Sequence, residues 1–301
     1  MLSSSAFPGP VLVRCGSMWR PLVVLSSAGL ACLLATGTAG AEAVRRADVN
    51  AGAGAVRRAD ADAVRRAAGP VPTGVGALTR NPLYGSGELA VSCPGRPAGH
   101  GAEAAEQYLL AVTRCLDASW SAYMRRVGLP FGRPGIGIMT KRGPICGKEW
   151  KAPSTGRYCN RYQWIYVLAG KNAQRDPANP VTLHLLAHEY AHHVQNRAGM
   201  WAVYSTMRAG GAEGGLERNR RYELQADCLA GVFLGGVWRS QRRTGTQWKR
   251  LMGVIGDSGD DTLGSRSHGS GGNRVAWLKR GFVSASPGMC NTWTAPAAQV
   301  S

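Results

Sequence analysis

The sequence is poor in acidic residues. Its 301 residues include only 18 Asp and Glu against 36 Lys and Arg, which gives a formal net charge of +18. This imbalance draws a protein toward polyanions such as acidic wall polymers, anionic lipids or nucleic acids. The usual RNA- and DNA-binding motifs are missing, so we expect no specific nucleic-acid partner. An anionic cell-surface polymer remains as an expected partner, although a basic but solvated surface would explain the charge equally well.

Charged residues are absent from Pro21–Ala41, which is rich in Leu, Val and Ala and follows Arg14 and Arg20. The small residues of Ala39-Gly40-Ala41 fit a cleavage site. We therefore expect residues 1–41 to be a signal peptide, and the protein to be secreted or held at the cell surface. The stretch is also just long enough to span a bilayer, so an uncleaved membrane anchor is the alternative.

The sequence has no C-x-x-C pair, although it contains eight cysteines. This absence argues against a zinc site built from thiolates. Cys15 and Cys32 fall within the expected signal, and the remaining six suggest disulfides in an exported chain. Fifteen pairings are possible for six cysteines. Order along the sequence favours Cys93–Cys115, Cys146–Cys159 and Cys228–Cys290.

Large apolar residues other than Val are missing from residues 42–68, where the letters A-V-R-R-A recur three times. Such a segment cannot bury enough apolar surface to offset the entropy lost on ordering. We expect a flexible or partly helical spacer over residues 42–78 and a single folded domain over residues 79–301.

Apolar periodicity predicts helices and short strands within that domain. The predicted helices are Ala102–Val127, Pro180–Gly199, Leu216–Gln241 and Asn273–Arg280, and the predicted strands are Gly135–Met139 and Trp164–Leu168. Asn179 can cap the second helix, Pro180 suits its first position, and Gly199 can end it. Gly231 and Gly235 on the third helix permit close approach of another backbone. Helices packed on a small mixed sheet make an α+β domain.

The second predicted helix carries His188-Glu189-Tyr190-Ala191-His192. Residues four apart lie on one face of a helix, so the imidazoles of His188 and His192 stand about 6 Å apart and can bind one Zn²⁺. Glu189 is turned by one helical step and can bond a zinc-bound water without being a ligand. It would take a proton from that water as it attacks a carbonyl, and then deliver the proton to the leaving amine.

A catalytic zinc needs a third protein ligand. Glu223 follows His192 by 31 residues, which allows a loop and a returning helix, and it is the expected third ligand. Asp227 lies one turn after Glu223 and can accept the second ring N–H of a ligand histidine, with His188 as the favoured recipient.

Other side chains near this motif have weaker assignments. His184 lies one turn before His188, and we interpret it as a supporting or packing residue rather than a fourth ligand. His193 is interpreted as structural. A donor must also stabilise the oxyanion that forms on the substrate. His268 is the candidate catalytic residue for this role, with Tyr190 or Tyr222 as alternatives and an exposed loop histidine as the competing interpretation of His268.

The stretches His188–Gln195 (HEYAHHVQ) and Leu224–Gly231 (LQADCLAG) resemble the bacterial neutral zinc metallopeptidase family. The wider pattern, H-E-x-x-H followed by E-x-x-x-D, is similar to that of the thermolysin-like gluzincins. The resemblance covers about Cys146 to Cys290. Ala191 departs from the glycine that is usual in the family, and a small residue is still tolerated between the ligands.

The resemblance implies a zincin-like fold, zinc on His188, His192 and Glu223, Glu189 as the base, and Asp227 as a partner of a ligand. An edge strand before the metal helix pairs with extended substrate in that fold, which here suggests Trp164–Leu168. We therefore expect a monomeric, exported zinc endopeptidase that acts on protein or peptide substrates. A zinc amidase acting on cell-wall peptides is one alternative, and a non-catalytic basic binding module with a structural zinc is another.

Overall fold

The computed structural model describes residues 69–85, 87–96, 99–208 and 210–301. These residues lie within one compact unit, Arg57–Ser301. The expected signal peptide, and the expected spacer up to residue 68, lie outside the described residues. The last part of that spacer is folded against the domain, because Ala77 and Leu78 are buried in the core. The folded part therefore begins before residue 79, where the sequence placed it.

Nine α-helices are present in the described part of the chain. They are α1 Gly76–Thr79, α2 Ala102–Arg126, α3 Lys171–Arg175, α4 Pro180–Arg197, α5 Met200–Thr206, α6 Gly211–Ser240, α7 Gly245–Gly256, α8 Asp260–Leu263 and α9 Gly271–Ser284. Short 3₁₀ turns cover Pro82–Tyr84, Pro287–Cys290 and Ala297–Gln299. The strands are β1 Gly135–Met139, β2 Pro144–Ile145, β3 Lys148–Glu149, β4 Gly156–Cys159 and β5 Trp164–Leu168. The mixture of helices with a small sheet confirms the predicted α+β class.

The main sheet has the strand order β1-β5-β4. β5 runs parallel to β1, with Ile136 opposite Ile165, and antiparallel to β4, with Tyr158 opposite Ile165. The sheet is therefore mixed, as predicted. Successive side chains of a strand point to opposite faces, so Tyr158, Ile165 and Val167 share the buried face. The expectation that Trp164–Leu168 is an edge strand is wrong, because β5 pairs on both sides and β4 is an edge instead.

Helix α4 begins and ends where the sequence signals predict. The Asn179 side chain accepts a hydrogen bond from the Val181 N–H at 2.9 Å, and Pro180 occupies the first helical position. Gly199 follows the helix with a φ of 79°, a conformation that glycine adopts without steric cost. Most of the helix is buried, including His184. Polar side chains on α4 must therefore find partners inside the protein.

Helices α6 and α9 pack closely through glycines. A Cβ on Gly231 would overlap the carbonyl oxygen of Leu278, and one on Gly235 would overlap that of Phe282. A Cβ on Gly281 would in turn overlap the carbonyl of Cys228. The predicted close approach at Gly231 and Gly235 is therefore confirmed, and it brings the first turn of α9 beside the middle of α6.

Three disulfides join the six cysteines in the pairing that sequence order favoured: Cys93–Cys115, Cys146–Cys159 and Cys228–Cys290. The second closes the β2–β3 hairpin region onto β4, and the third ties α6 to a C-terminal 3₁₀ turn. Disulfides form and persist in oxidising compartments, so the pairing indicates an exported environment. None of the helices described here combines the length and the apolar character needed to cross a membrane.

Candidate metal centre

Helices α4 and α6 bring together three side chains that could hold a metal ion. His188 and His192 come from α4, and Glu223 comes from α6. Glu223 Oε2 lies 3.2 Å from His188 Nε2 and 3.2 Å from His192 Nε2. All three donor atoms lie within 4.8 Å of one another. The three side chains are largely buried, so this group could hold a metal ion that is mostly shielded from water.

Nδ1, the ring nitrogen of each histidine that does not contact Glu223, also has a hydrogen-bond partner. His188 Nδ1–H donates to Asp227 Oδ1 at 2.9 Å, so the carboxylate lies where the sequence places it. His192 Nδ1–H donates to Gln195 Oε1 at 2.8 Å, a contact the sequence analysis did not identify. With Nδ1–H held in each ring, Nε2 is the nitrogen that would offer its lone pair to a metal.

Two buried amides hold Gln195 in the orientation that this hydrogen bond needs. The Gln195 Nε2 group donates to the Tyr222 carbonyl and to Gln225 Oε1, both at 2.9 Å. Gln225 Nε2 donates in turn to the Tyr84 hydroxyl and to the Cys290 carbonyl. The side-chain nitrogens of Gln195 and Gln225 thus both face acceptors. Because Gln195 Nε2 is fixed in this way, its Oε1 faces His192. The network fixes the tautomer of the imidazole.

The residues fit a zinc ion. Burial alone would raise the pKa of Glu223, but the adjacent His192 and His188 lower it well below its usual value, so the carboxylate is ionised. Asp227 and Glu223 in turn raise the pKa of His188 to about 10 against the effect of burial, and Glu223 raises that of His192. The site thus favours positive charge between its carboxylates, which protons supply here and which a metal cation would supply in their place. Two histidines and one glutamate are a donor set that binds catalytic zinc.

A buried arginine, which no local sequence signal marks, supports this arrangement. Arg274, in the first turn of α9, donates from Nε to Asp227 Oδ2 at 2.9 Å and from a terminal nitrogen to Asp227 Oδ1 at 3.3 Å. Its other terminal nitrogen donates to the Ser258 carbonyl and hydroxyl. Burial would raise the pKa of Asp227, but Arg274, His184 and His188 lower it well below its usual range.

Replacing Arg274 with Gln should weaken zinc binding by about 10–100-fold, because Asp227 would lose the fork that orients it toward His188. Removing the positive charge of Arg274 would by itself strengthen the binding of a zinc cation. A weaker zinc affinity would therefore show that the orientation of Asp227 has the larger effect. Competition with a fluorescent chelator measures the affinity. Lys279→Gln removes an exposed charge from the same helix and is the matched control. An unchanged zinc affinity in a folded Arg274→Gln variant would contradict this role.

His184 contacts the same carboxylate as His188. Its Nε2 lies 3.2 Å from Asp227 Oδ1, the oxygen that His188 Nδ1 also contacts. Burial lowers the pKa of His184 despite the contact with Asp227, so the ring is neutral. His184, His188 and Asp227 also lie close enough to hold a metal. Arg274 already neutralises that carboxylate, which disfavours a second cation there.

His193 faces away from the metal group. Its Nε2 lies 2.6 Å from the Gly132 carbonyl, and its Nδ1 lies 3.0 Å from the Tyr158 hydroxyl. Burial lowers the pKa of His193 to about 4. The ring is therefore neutral, and it joins α4 to β4 and to the segment that precedes β1.

The loop before α9 places His268 at the rim of the metal group. His268 Nε2 lies 3.7 Å from Glu223 Oε2, and its side chain is 45% exposed. Asp260 holds this loop by accepting hydrogen bonds from the backbone N–H groups of His268 and Gly269. His268 is thus close to the ligands and open to solvent, as a group that meets substrate must be.

The two tyrosines considered beside His268 differ in their surroundings. The Tyr190 hydroxyl donates to Asp117 Oδ1 at 2.6 Å in the core, so Tyr190 is excluded as an oxyanion donor. Tyr222 stacks on the ring of His192, with centroids 5.0 Å apart and planes 13° apart. Its buried hydroxyl has no hydrogen-bond partner among the described residues. Tyr222 therefore remains a candidate donor.

The Glu189 side chain packs against strand β4. The strand passes so close that a Cβ on Gly156 would lie 2.8 Å from Glu189 Oε1 and 2.7 Å from Leu185 Cδ1. Burial raises the pKa of Glu189, while His192, His188 and the Tyr158 N–H counteract this rise. A carboxyl group with a raised pKa beside a metal group is suited to accept and return a proton.

Comparison with known proteins agrees with this chemistry. Residues 177–293 match the family described as "Putative neutral zinc metallopeptidase". The matched part includes α4, α6 and α9, and hence every candidate metal ligand, Asp227 and Arg274. The match supports a relationship to zinc-dependent hydrolases at this coarse level. The sheet lies outside the matched residues.

Two relatives have similar sequences. The chain is 24% identical over 208 residues to the uncharacterized protein YpfJ of Escherichia coli strain K12, which covers 63% of this chain and 71% of the relative. It is 30% identical over 134 residues to the uncharacterized protein Rv2575 of Mycobacterium tuberculosis strain H37Rv, which covers 37% of this chain and 44% of the relative. No solved structure matches the chain.

Proposed function

We propose that this protein is an exported, zinc-dependent endopeptidase with a zincin-like arrangement of its metal helix. The convergence of His188 Nε2, His192 Nε2 and Glu223 Oε2 beside the buried Glu189 carries the proposal. The family match over residues 177–293 and the three disulfides support it.

His188, His192 and Glu223 would hold the zinc, and Glu189 stays outside this ligand set. Zinc bound there would lower the pKa of water and polarise a substrate carbonyl. Glu189 accepts the proton of the attacking water and delivers it to the leaving amine nitrogen. Asp227 and Gln195 keep the two imidazoles in the required tautomers while charge develops.

His268 is the proposed oxyanion donor, because it combines proximity to Glu223 with exposure to solvent. Its imidazole can approach a substrate carbonyl from outside the buried ligand cluster. The Tyr222 hydroxyl, stacked against His192, is the second candidate for the same role. Hydrogen-bond donors placed where negative charge develops are a large contribution to acyl-transfer catalysis.

We further propose that β4 positions the substrate. β4 pairs with β5 along one of its sides. Tyr158, and a Cβ placed on Gly156, lie on the face of the strand that points toward α4. An extended peptide laid along an edge strand gains main-chain hydrogen bonds with weak sequence preference. β4 thus takes the role that the sequence analysis gave to Trp164–Leu168.

Gly156→Ala should lower peptide hydrolysis by about 100-fold, because the added methyl would push Glu189 away from the reacting water. Zinc content should not change, since neither residue is a ligand. Gly170→Ala is the matched control, as a Cβ there meets no atom within 4 Å. Steady-state rates on casein together with metal analysis measure both effects. Equal activity of the two variants would show that β4 does not fix the position of Glu189.

The proposed function predicts that casein hydrolysis is abolished by 1,10-phenanthroline and restored by added Zn²⁺, because the three ligands are needed to activate water. Purified cell-wall material serves as the second substrate. Release of wall peptides without casein cleavage would favour the amidase alternative. Stoichiometric zinc without turnover of either substrate would favour a non-catalytic binding module. Each of these two outcomes contradicts an endopeptidase.

A further inference from the structure

The face of the sheet that points away from α4 carries one exposed and one partly exposed aromatic ring. Trp164 and Tyr166 alternate with the buried Ile165 on β5, and Trp164 is 42% exposed. Their ring centroids are 5.8 Å apart and their planes differ by 25°. We call Trp164 and Tyr166 the aromatic shelf. The shelf plays no part in the proposed hydrolytic step.

Two glycines on β1 allow the rings to lie against the sheet. Gly135 is opposite Trp164, and Gly137 is opposite Tyr166. A Cβ on Gly135 would overlap the fused-ring carbons of the indole, and one on Gly137 would lie 2.7 Å from Tyr166 Cδ1. The indole therefore covers the backbone of Gly135 with its face, and the tyrosine ring lies over Gly137. The shelf presents a broad, fixed aromatic surface outward.

The aromatic shelf lies among exposed cations. Arg157 is directly across the sheet from Tyr166 and shares its face. The Arg161 guanidinium lies 5.8 Å from the centroid of the exposed Tyr162 ring. Residues 135–170 contain a single acid, Glu149, and six exposed basic residues: Lys141, Arg142, Lys148, Lys151, Arg157 and Arg161. This part of the chain thus carries a strong excess of positive charge, with Arg157 directly beside the shelf.

We propose that the aromatic shelf binds an anionic polysaccharide. The flat C–H faces of sugar rings pack on exposed aromatic faces, and guanidinium groups bind carboxylates or phosphates through paired hydrogen bonds. Single-stranded nucleic acid would also stack on aromatic rings. The three disulfides indicate an exported chain, which favours a surface polysaccharide over an intracellular nucleic acid as the partner.

The position of the aromatic shelf connects it to the metal centre. Arg157 points outward from β4, while Gly156 on the same strand lies against Glu189. A polymer held on the shelf would keep the protein on an anionic surface with its metal centre one strand away. Binding does not depend on hydrolysis, so failure of this proposal would leave the proposed function untouched.

Isothermal titration calorimetry with polygalacturonate at about 0.15 M salt tests the proposal, with neutral dextran and oligo-dT as comparison polymers. We expect Trp164→Leu to weaken polygalacturonate binding by about tenfold, and the double variant Arg157→Gln/Arg161→Gln to do the same. Lys249→Gln/Arg250→Gln removes two exposed charges from α7 and should change the affinity less than about threefold. Casein hydrolysis should stay at the wild-type rate in Trp164→Leu and in Lys249→Gln/Arg250→Gln.

The proposal would be overturned if Arg157→Gln/Arg161→Gln and Lys249→Gln/Arg250→Gln weakened polygalacturonate binding equally. That result would show general charge attraction rather than a binding site at the aromatic shelf. Tighter binding of oligo-dT, lost in Trp164→Leu, would overturn it in favour of a nucleic-acid surface. Thermal melting identifies any variant that fails to fold. If Trp164→Leu fails, Tyr166→Leu and the Arg157→Gln/Arg161→Gln variant decide the outcome.

Discussion

Replacing Glu189 with Gln should slow casein hydrolysis by about 10²–10⁴-fold while one zinc per chain is retained. The amide has nearly the same shape as the carboxylate but cannot accept a proton from water. Glu189 lies outside the group of His188, His192 and Glu223, so the affinity for zinc should change little. Initial rates at saturating casein and metal analysis of the same preparation separate the two effects.

Glu217→Gln is the matched control for this variant. Glu217 lies on α6, partly exposed, in an ion pair with Arg221, and it is not among the metal-binding residues. Its replacement should leave the rate within about twofold of the wild type, as expected for an exposed ion pair of small energy. Full activity of Glu189→Gln would remove the proposed base from the mechanism, even if zinc were present.

Glu223→Ala should abolish hydrolysis and weaken zinc binding by more than about 100-fold, since removal of a ligand exceeds the 10–100-fold cost of removing a supporting residue. Only the two Nε2 lone pairs of His188 and His192 would remain, and two ligands do not hold a catalytic zinc. Thermal melting checks that the variant folds, because the change removes one partner of a buried charge cluster. Equilibrium dialysis against a zinc buffer measures the affinity.

Glu223→Gln is the informative companion, because it preserves the side-chain volume and offers a neutral oxygen. It should bind zinc more weakly than the wild type and more tightly than Glu223→Ala. Wild-type zinc affinity in both variants would contradict the assignment of Glu223 and would direct attention to the other acceptors near the histidines.

Much of the framework that carries the site could be predicted from local sequence signals. Asn179, Pro180 and Gly199 marked both ends of α4, because capping and left-handed turns depend on a few neighbouring residues. Gly231 and Gly235 indicated close helix packing, since only glycine leaves room for a second backbone. The strands β1 and β5 followed from short apolar runs.

Long-range contacts could not be predicted in the same way. The sequence could not place β4 at the sheet edge, because the four residues Gly156–Cys159 carry no periodic pattern. The edge position predicted for β5 came from the family resemblance alone. Tyr190 was considered for the metal centre although its hydroxyl meets Asp117, which lies 73 residues away in the chain. Helix α7 was missed despite a local signal, the capping box formed by Thr244 and Gln247.

The residues that support the candidate ligands also differ in this way: one follows from local sequence, and the others depend on long-range contacts. Asp227 could be inferred because it lies one turn after Glu223 on a single helix. Gln195 sits within the motif, but its bond to His192 depends on Gln225 and Tyr222 from another helix. Arg274 comes from α9 and reaches Asp227 only because the glycines of α6 allow the two helices to pack closely. Side chains brought together by packing leave no signal in the local sequence.

Anomalous diffraction at the zinc edge, from crystals of the purified full chain, tests the central claim most directly. We predict one zinc peak per chain, about 2.0–2.2 Å from His188 Nε2, His192 Nε2 and a Glu223 carboxylate oxygen. A peak held instead by His184 and Asp227, or zinc bound without Glu223 among its ligands, would contradict the proposed metal centre.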